Sequence, residues 1–317
     1  MADILLSYEV TINLFISFTL AVLLSVAFVN TLYILMHYDK SASTELQYSL
    51  EKKSYLTLVI IKFSLIVKVL LLAFFTHTLD ELSHIVPGAM CAAGVISANE
   101  YGETLMVVKI FFIIFALLWL TLNREDLHSK DFKHFKSKNY FFLFIYLFSL
   151  LEVLLELLFF TSLTTIEPVS CCSTLYQNSQ ASNSLIFNFS TPQLVLSFYA
   201  LFVLIVLSAL YQNRYTLALL SPLFAYISYH SLVYFFSSYV YELPTHKCPY
   251  CLLQAEYHYI GYFIYSSFII AFYYSLCTLL FSFKKDSFKY AILFYSLFTF
   301  FTSICFIIYL ILNKTFL

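Results

Sequence analysis

The sequence predicts an all-α integral membrane protein, a bundle of about eight transmembrane helices. Three observations carry that expectation. The 317 residues are 61% hydrophobic and 11% charged, with a mean hydropathy of +0.84. Soluble domains carry about 25% charged residues. Apolar runs long enough to cross about 30 Å of hydrocarbon recur along the chain. Basic residues collect in alternate connections, as they do on one side of a membrane.

Each span is read from an apolar run and the polar residues that bound it. The first covers 11–36 and ends before Lys40. The second, 55–76, follows Lys52 and Lys53. The third, 104–122, stops at Arg124, and the fourth, 140–163, follows Lys138. The fifth, 193–211, and the sixth, 216–239, flank Arg214, with Pro222 as the main helix breaker inside a span. The seventh, 259–281, and the eighth, 289–312, flank Lys284, Lys285 and Lys289. Runs of this length in lipid satisfy their backbone groups only as helices.

Orientation follows from the lysines and arginines. Connections 77–103, 164–192 and 240–258 contain a single basic residue, Lys247. The remaining connections hold most of the others, including Lys130, Lys133 and Lys136. The positive-inside rule then places both termini and these three loops on the exoplasmic side. The first ten residues lack the basic start of a secretory signal, so the first span is expected to be retained. No repeat or linker divides the chain, which reads as one polytopic domain over 1–317. A bacterial inner membrane is the expected location. The lipid bilayer is then its first partner. No basic patch with interleaved aromatics is present, so no nucleic-acid partner is expected. The unwound, glycine- and proline-marked spans of many transporters are missing too.

Five of the seven cysteines fall in those three loops: Cys91, the vicinal pair Cys171 and Cys172, and Cys248 with Cys251. An exoplasmic or periplasmic compartment is oxidising, so disulfides persist there. Loop 77–103 also holds three of the four glycines, Gly88, Gly94 and Gly102, which suggests a shaped loop around Cys91. Adjacent cysteines such as Cys171 and Cys172 bond to each other only with strain. They are expected to pair with distant partners or to share a metal.

The third loop is the most specific. Cys248-Pro249-Tyr250-Cys251 runs towards the seventh span. The reading places Cys248 near that helix's N-terminus, with Pro249 at the first helical position. A helix start and C-x-x-C spacing both lower a thiol pKa, and Lys247 adjoins the pair. The tetrapeptide is similar to the CPYC active site of glutaredoxins, a resemblance of four residues. Its place at the exoplasmic mouth of a helix bundle resembles the arrangement of the DsbB and vitamin K epoxide reductase classes.

Two chemistries fit these loops. In thiol–disulfide exchange, Cys248 and Cys251 form the reactive pair, and Cys91 with Cys171 or Cys172 passes electrons to or from a periplasmic thiol partner. In soft-metal binding, His246, Cys248, Cys251, Cys91, Met90, Cys172 and His84 are candidate ligands, a set suited to copper or zinc and to delivery towards a periplasmic metalloprotein. A third possibility is non-catalytic: loops stapled by disulfides in a membrane subunit. Five cysteines cannot all pair within one chain.

Charges inside the spans need named partners. Counting depth from the span ends predicts pairing of Lys68 with Glu152 and of Lys109 with Glu156. These pairs lock the bundle, or they line a proton route or a quinone site at Lys109, Glu156 or His230. Cys277 and Cys305, within spans, are read as small hydrophobes.

Overall fold

The computed structural model describes residues 2–38, 44–128, 134–164, 168–169, 189–244, 246–281 and 285–315. Eight helices within them are long and apolar enough to cross a membrane. They are α1 (Tyr8–His37), α2 (Glu45–Ser83), α3 (Tyr101–His128), α4 (Phe135–Ser162), α5 (Thr191–Leu210), α6 (Arg214–Tyr241), α7 (Ile260–Leu280) and α8 (Lys285–Asn313). The chain is thus a multi-pass membrane protein by helix length and composition. Its outward side chains agree: Phe15, Phe18, Leu70, Leu196 and Leu219 are exposed large hydrophobics, a surface suited to lipid rather than water.

Local signals start the helices. The Ser7 hydroxyl accepts from the Val10 N–H at 3.4 Å, and the Thr44 hydroxyl from Gln47 N–H at 3.3 Å. Asn213 accepts from the N–H groups of Tyr215 and Thr216 at the head of α6. At α5 the Gln193 side chain reaches back to the Ser190 N–H at 3.0 Å. Each bond satisfies a donor that the first helical turn leaves without a partner. Several helices overrun the apolar runs that reveal them. The α2 helix extends from Glu45 to Ser83, well beyond 55–76, because polar residues at both ends continue the same backbone.

The chain forms two compact units. One comprises Met1–Ile85 and Ile96–Glu167; the other comprises Val86–Val95 and Pro168–Leu317. In the first, α1 packs on α2 and α4, and α3 packs on α4 and α2. Its core includes Leu24, Ile61, Leu65, Phe112, Trp119 and Phe142. In the second, α5 packs on α6 and α8, and α7 packs on α6 and α8. Its core is aromatic, with Phe198, Phe224, Phe236, Tyr295 and Phe298 in ring contact. The α6 helix changes to a π-helix over Leu232–Phe236. Such π segments are frequent at functional sites.

The segment Val86–Val95 lies between α2 and α3 in sequence yet belongs to the second unit. Its Pro87 carbonyl accepts from the Val169 N–H at 2.8 Å. Gly88 makes that contact possible. Its φ is +82°, and a Cβ there would lie 2.5 Å from the Val169 carbonyl oxygen.

Near the α3–α4 connection, Lys138 and Asp126 form a buried ion pair at 2.6 Å. The other Asp126 oxygen accepts from the His134 N–H at 2.8 Å, and Trp119 Nε1 donates to the Lys138 carbonyl. Removing one member of a buried pair leaves the other charge uncompensated, at about 3–5 kcal/mol. Asp126→Ala is therefore expected to lower the unfolding midpoint of the purified protein by many degrees. An unchanged midpoint in a thermal melt would contradict this.

Candidate functional site

The C-terminal end of α6 sets the site. Glu242 takes a left-handed conformation, φ 54°, and ends the helix. After Lys247 the chain presents Cys248 and Pro249, then folds a single 3-10 turn over Cys251–Leu253. Gln254 is extended, Ala255–Tyr257 makes another short turn, and His258 and Tyr259 are left-handed, with φ 55° and 54°. Only then does α7 begin, at Ile260. This corrects the expectation that Pro249 takes the first helical position of the helix that becomes the seventh span. The CPYC segment is a loop folded back over the head of α7, where the Tyr265 hydroxyl meets the Pro249 carbonyl. The close approach needs Gly261, where a Cβ would sit 2.8 Å from the Leu252 carbonyl.

Two tyrosines hold the loop backbone. The Tyr241 hydroxyl donates to the Cys248 carbonyl. The Tyr265 hydroxyl donates to the Pro249 carbonyl at 2.5 Å. The Tyr241 ring also meets those of His246 and Tyr257 edge-on, at 4.4 and 4.5 Å. Sequence reasoning missed both tyrosines. Their position at helix ends facing a carbonyl-rich loop is the signal that marks them.

Cys91 enters from the other segment of the same unit. Its Sγ lies 3.5 Å from Cys248 Sγ, and the sulfurs of Cys91, Cys248 and Cys251 all lie within 4.8 Å of one another. The three residues are 0%, 1% and 3% exposed. None of the three is in a disulfide. A disulfide needs about 2.05 Å between sulfurs, so this is non-bonded contact, short enough for one small movement to make a bond. The same spacing suits a metal: with metal–sulfur bonds of about 2.3 Å, three thiolates around one ion stand about 4 Å apart. Gln254 Nε2 donates to the Met90 carbonyl at 3.4 Å and ties the two segments together.

Neither a protein-family model, nor a curated protein, nor a solved structure matches this chain. The site therefore stands on its own geometry.

Among the described residues, the three thiols are the one group of three or more His, Cys, Asp or Glu ligand atoms spaced for a metal. The other candidates fall elsewhere. His246 lies outside that group, and its Nε2 is buried without a hydrogen-bond partner. The Met90 side chain is exposed. His84 caps α2 in the first unit, where its N–H bonds the Glu81 carbonyl, and His77 pairs with Glu81 at 3.9 Å. Cys171 and Cys172 lie outside the described residues. Cys277 is buried in α7 and Cys305 partly buried in α8.

The charged spans of the first unit form one node. Lys68 Nζ contacts Glu152 at 2.5 Å, as the depth count predicts. Lys109 Nζ bridges Glu152 at 2.9 Å and Glu156 at 3.0 Å, so the expected second pair is present and shares its lysine with the first. The Ser17 hydroxyl donates to the Glu156 carboxylate at 3.1 and 3.2 Å, a contact the sequence reading missed. The ammonium groups sit over Phe112 and Phe75, 4.8 and 4.4 Å from the ring centres. The space among Lys68, Lys109, Phe112 and Glu152 does not admit a water-sized sphere.

His230 lies in the second unit, just before the π segment. Tyr226, Tyr229 and Tyr234 surround it at 4.6, 5.4 and 5.9 Å between ring centres, and its Nδ1 is buried without a hydrogen-bond partner.

A side chain at Gly261 would push Leu252 and the adjoining Cys251 off the head of α7. Gly261→Val is expected to raise the alkylation rate of Cys248 and Cys251 in folded protein at least tenfold, read by mass spectrometry of maleimide-treated samples. Equal rates in the two proteins would show that the loop does not bury these thiols.

Proposed function

We propose that this protein is a membrane-embedded thiol–disulfide redox protein whose reactive centre is the Cys91, Cys248 and Cys251 cluster. The observation that carries the proposal is the 3.5 Å contact between Cys91 and Cys248, with Cys251 in the same sulfur group. Three thiols within 4.8 Å of one another support exchange without large motion. In a chain oxidised at Cys248–Cys251, the Cys91 thiolate attacks Cys248 Sγ. The Cys91–Cys248 bond forms, and Cys251 leaves as the thiolate. No electrons are lost in this step, so a partner supplies or removes two electrons and two protons per disulfide.

Burial of all three sulfurs restricts that partner. A protein thiol does not reach them as folded. Cys171 and Cys172 are proposed to carry exchange with a periplasmic thiol partner. A lipid-soluble acceptor of the quinone class reaches the bundle from the bilayer. His230, with its tyrosine surroundings and buried Nδ1, suits a quinone ring better than the tightly packed Lys109 and Glu156. The lysine and arginine distribution supports exoplasmic termini and cysteine loops, hence an oxidising compartment such as the periplasm behind a bacterial inner membrane.

A second reading is favoured by the same sulfur spacing. Three buried thiolates within 4.8 Å fit a soft ion, copper or zinc, held for delivery or transport. His246 stands near the cluster in sequence and joins it only if its ring moves. The site fits by donor chemistry, and thiolates bind such ions most tightly when deprotonated.

One experiment separates the readings. Membranes are quenched in acid, alkylated before and after reduction, and analysed by mass spectrometry; the metal content of purified reduced protein is measured in parallel. The redox reading expects Cys248 and Cys251 to change state with a quinone or a thiol reductant, and Cys248→Ser to abolish the change. Thiols that stay reduced throughout, with one copper or zinc per chain lost in Cys91→Ser, would instead establish the metal reading. Thiols that neither change state nor bind metal would reject both.

A further inference from the structure

The first unit carries a line of buried polar groups that the thiol chemistry does not use. On α1, Glu9, Asn13 and Ser17 are buried at four-residue intervals, so they share one helix face. Ser17 holds Glu156, and Glu156, Lys109, Glu152 and Lys68 follow in unbroken contact. Ser64 lies one turn from Lys68 on α2, and Ser149 lies one turn from Glu152 on α4; both are buried. The helices fix the direction. Since α4 ends where α1 begins, Glu9 and Asn13 lie on one side of the charged node, and Ser64 and Ser149 lie on the other.

Four atoms along this line have no hydrogen-bond partner among the described residues: both amide atoms of Asn13, and the hydroxyl oxygens of Ser64 and Ser149. Each such group costs about 1–3 kcal/mol in a dry interior. A chain 61% hydrophobic would satisfy packing at these positions with Leu or Ala. Unpartnered polar side chains on both sides of a four-charge node are placed to hydrogen-bond water, and intramembrane ionisable groups mark proton and ion pathways. The node itself is electrically balanced, two ammonium groups against two carboxylates, so it needs no bound cation. It leaves no room for a ring-bearing cofactor. What such a line transfers is a proton.

We infer that the first unit is a proton-conducting path, with Glu156 as the acceptor between water held at Asn13 and the far side of the node. The proton arrives from water at the Glu9 end and converts the Glu156 carboxylate to the acid. Lys109 contacts both carboxylates. It gives one proton to Glu152 and takes the one on Glu156, and so ends unchanged. Glu152 then releases its proton to water hydrogen-bonded at Ser149 and Ser64. The titratable groups facing this route are Glu9, Lys68, Lys109, Glu152 and Glu156. Lys62, on α2, is exposed and stands outside it.

The test is proton flux in liposomes that contain the purified full-length chain and a trapped pH-sensitive dye. A potassium gradient with valinomycin supplies the driving voltage. The wild type is expected to acidify the interior well above protein-free vesicles. Glu156→Gln is expected to reduce the rate at least tenfold, Asn13→Leu several-fold, and Lys62→Gln not at all. Glu156→Asp keeps the acid one bond shorter and is expected to retain part of the flux, which guards against a Gln variant that fails to fold. Circular dichroism melts confirm the fold of each. Wild-type flux equal to empty vesicles would overturn the inference, as would full flux in folded Glu156→Gln. A chain with every cysteine changed to serine is expected to keep its flux, so failure of the redox reading and failure of this one are read separately.

Discussion

The sulfur contact between Cys91 and Cys248 is the interaction on which the proposed thiol chemistry depends. It joins two segments 157 residues apart in sequence, and each is pinned through contacts to its backbone. The Cys91 side relies on the left-handed Gly88 and its contact with Val169. The CPYC side relies on two tyrosine hydroxyls that bond consecutive carbonyls, at Cys248 and Pro249. Short loops pinned in this way hold thiols in one geometry before any reaction. That saves the ordering entropy that exchange between mobile cysteines would cost.

Burial decides what the cluster can meet. Surface C-x-x-C pairs exchange with proteins because their sulfurs are open to attack. Here all three sulfurs are almost fully enclosed among apolar and aromatic side chains of the second unit. Lys247, next to Cys248 in sequence, holds its ammonium over the Tyr234 ring. The first unit follows a different principle. It neutralises charge internally, through Lys68, Glu152, Lys109 and Glu156, so that four ionised groups sit in an apolar bundle without a net field.

Much of the architecture was legible because membrane helices must be long and apolar. All eight runs are helices, and the Lys68–Glu152 and Lys109–Glu156 pairs followed from depth alone. What failed was local. C-P-Y-C followed by Leu, Leu reads as a helix start, yet the extended Gln254 and the left-handed His258 and Tyr259 break the segment before α7. Neither residue carries the glycine that normally announces such a turn. The shared role of Lys109 was invisible for another reason: depth along an axis says nothing about which side of a helix faces a second partner. Asn13 and Ser17 were legible in principle, as a polar pair one turn apart inside an apolar run, the same signature that revealed Glu152 and Glu156. Convergence of the loop thiols was an expectation of the sequence, and Cys91, Cys248 and Cys251 do gather within 4.8 Å; that they gather in a buried place rather than on an outward rim was not legible, and Cys172 lies outside the described residues.

The most direct measurement is the bond that the Cys91–Cys248 contact should form. In a chain whose other cysteines are replaced by serine, mild oxidation of native membranes is followed by proteolysis and mass spectrometry. Rapid, near-complete formation of the Cys91–Cys248 disulfide is the result this account requires. Two thiols that stay separate until the protein is unfolded would contradict it.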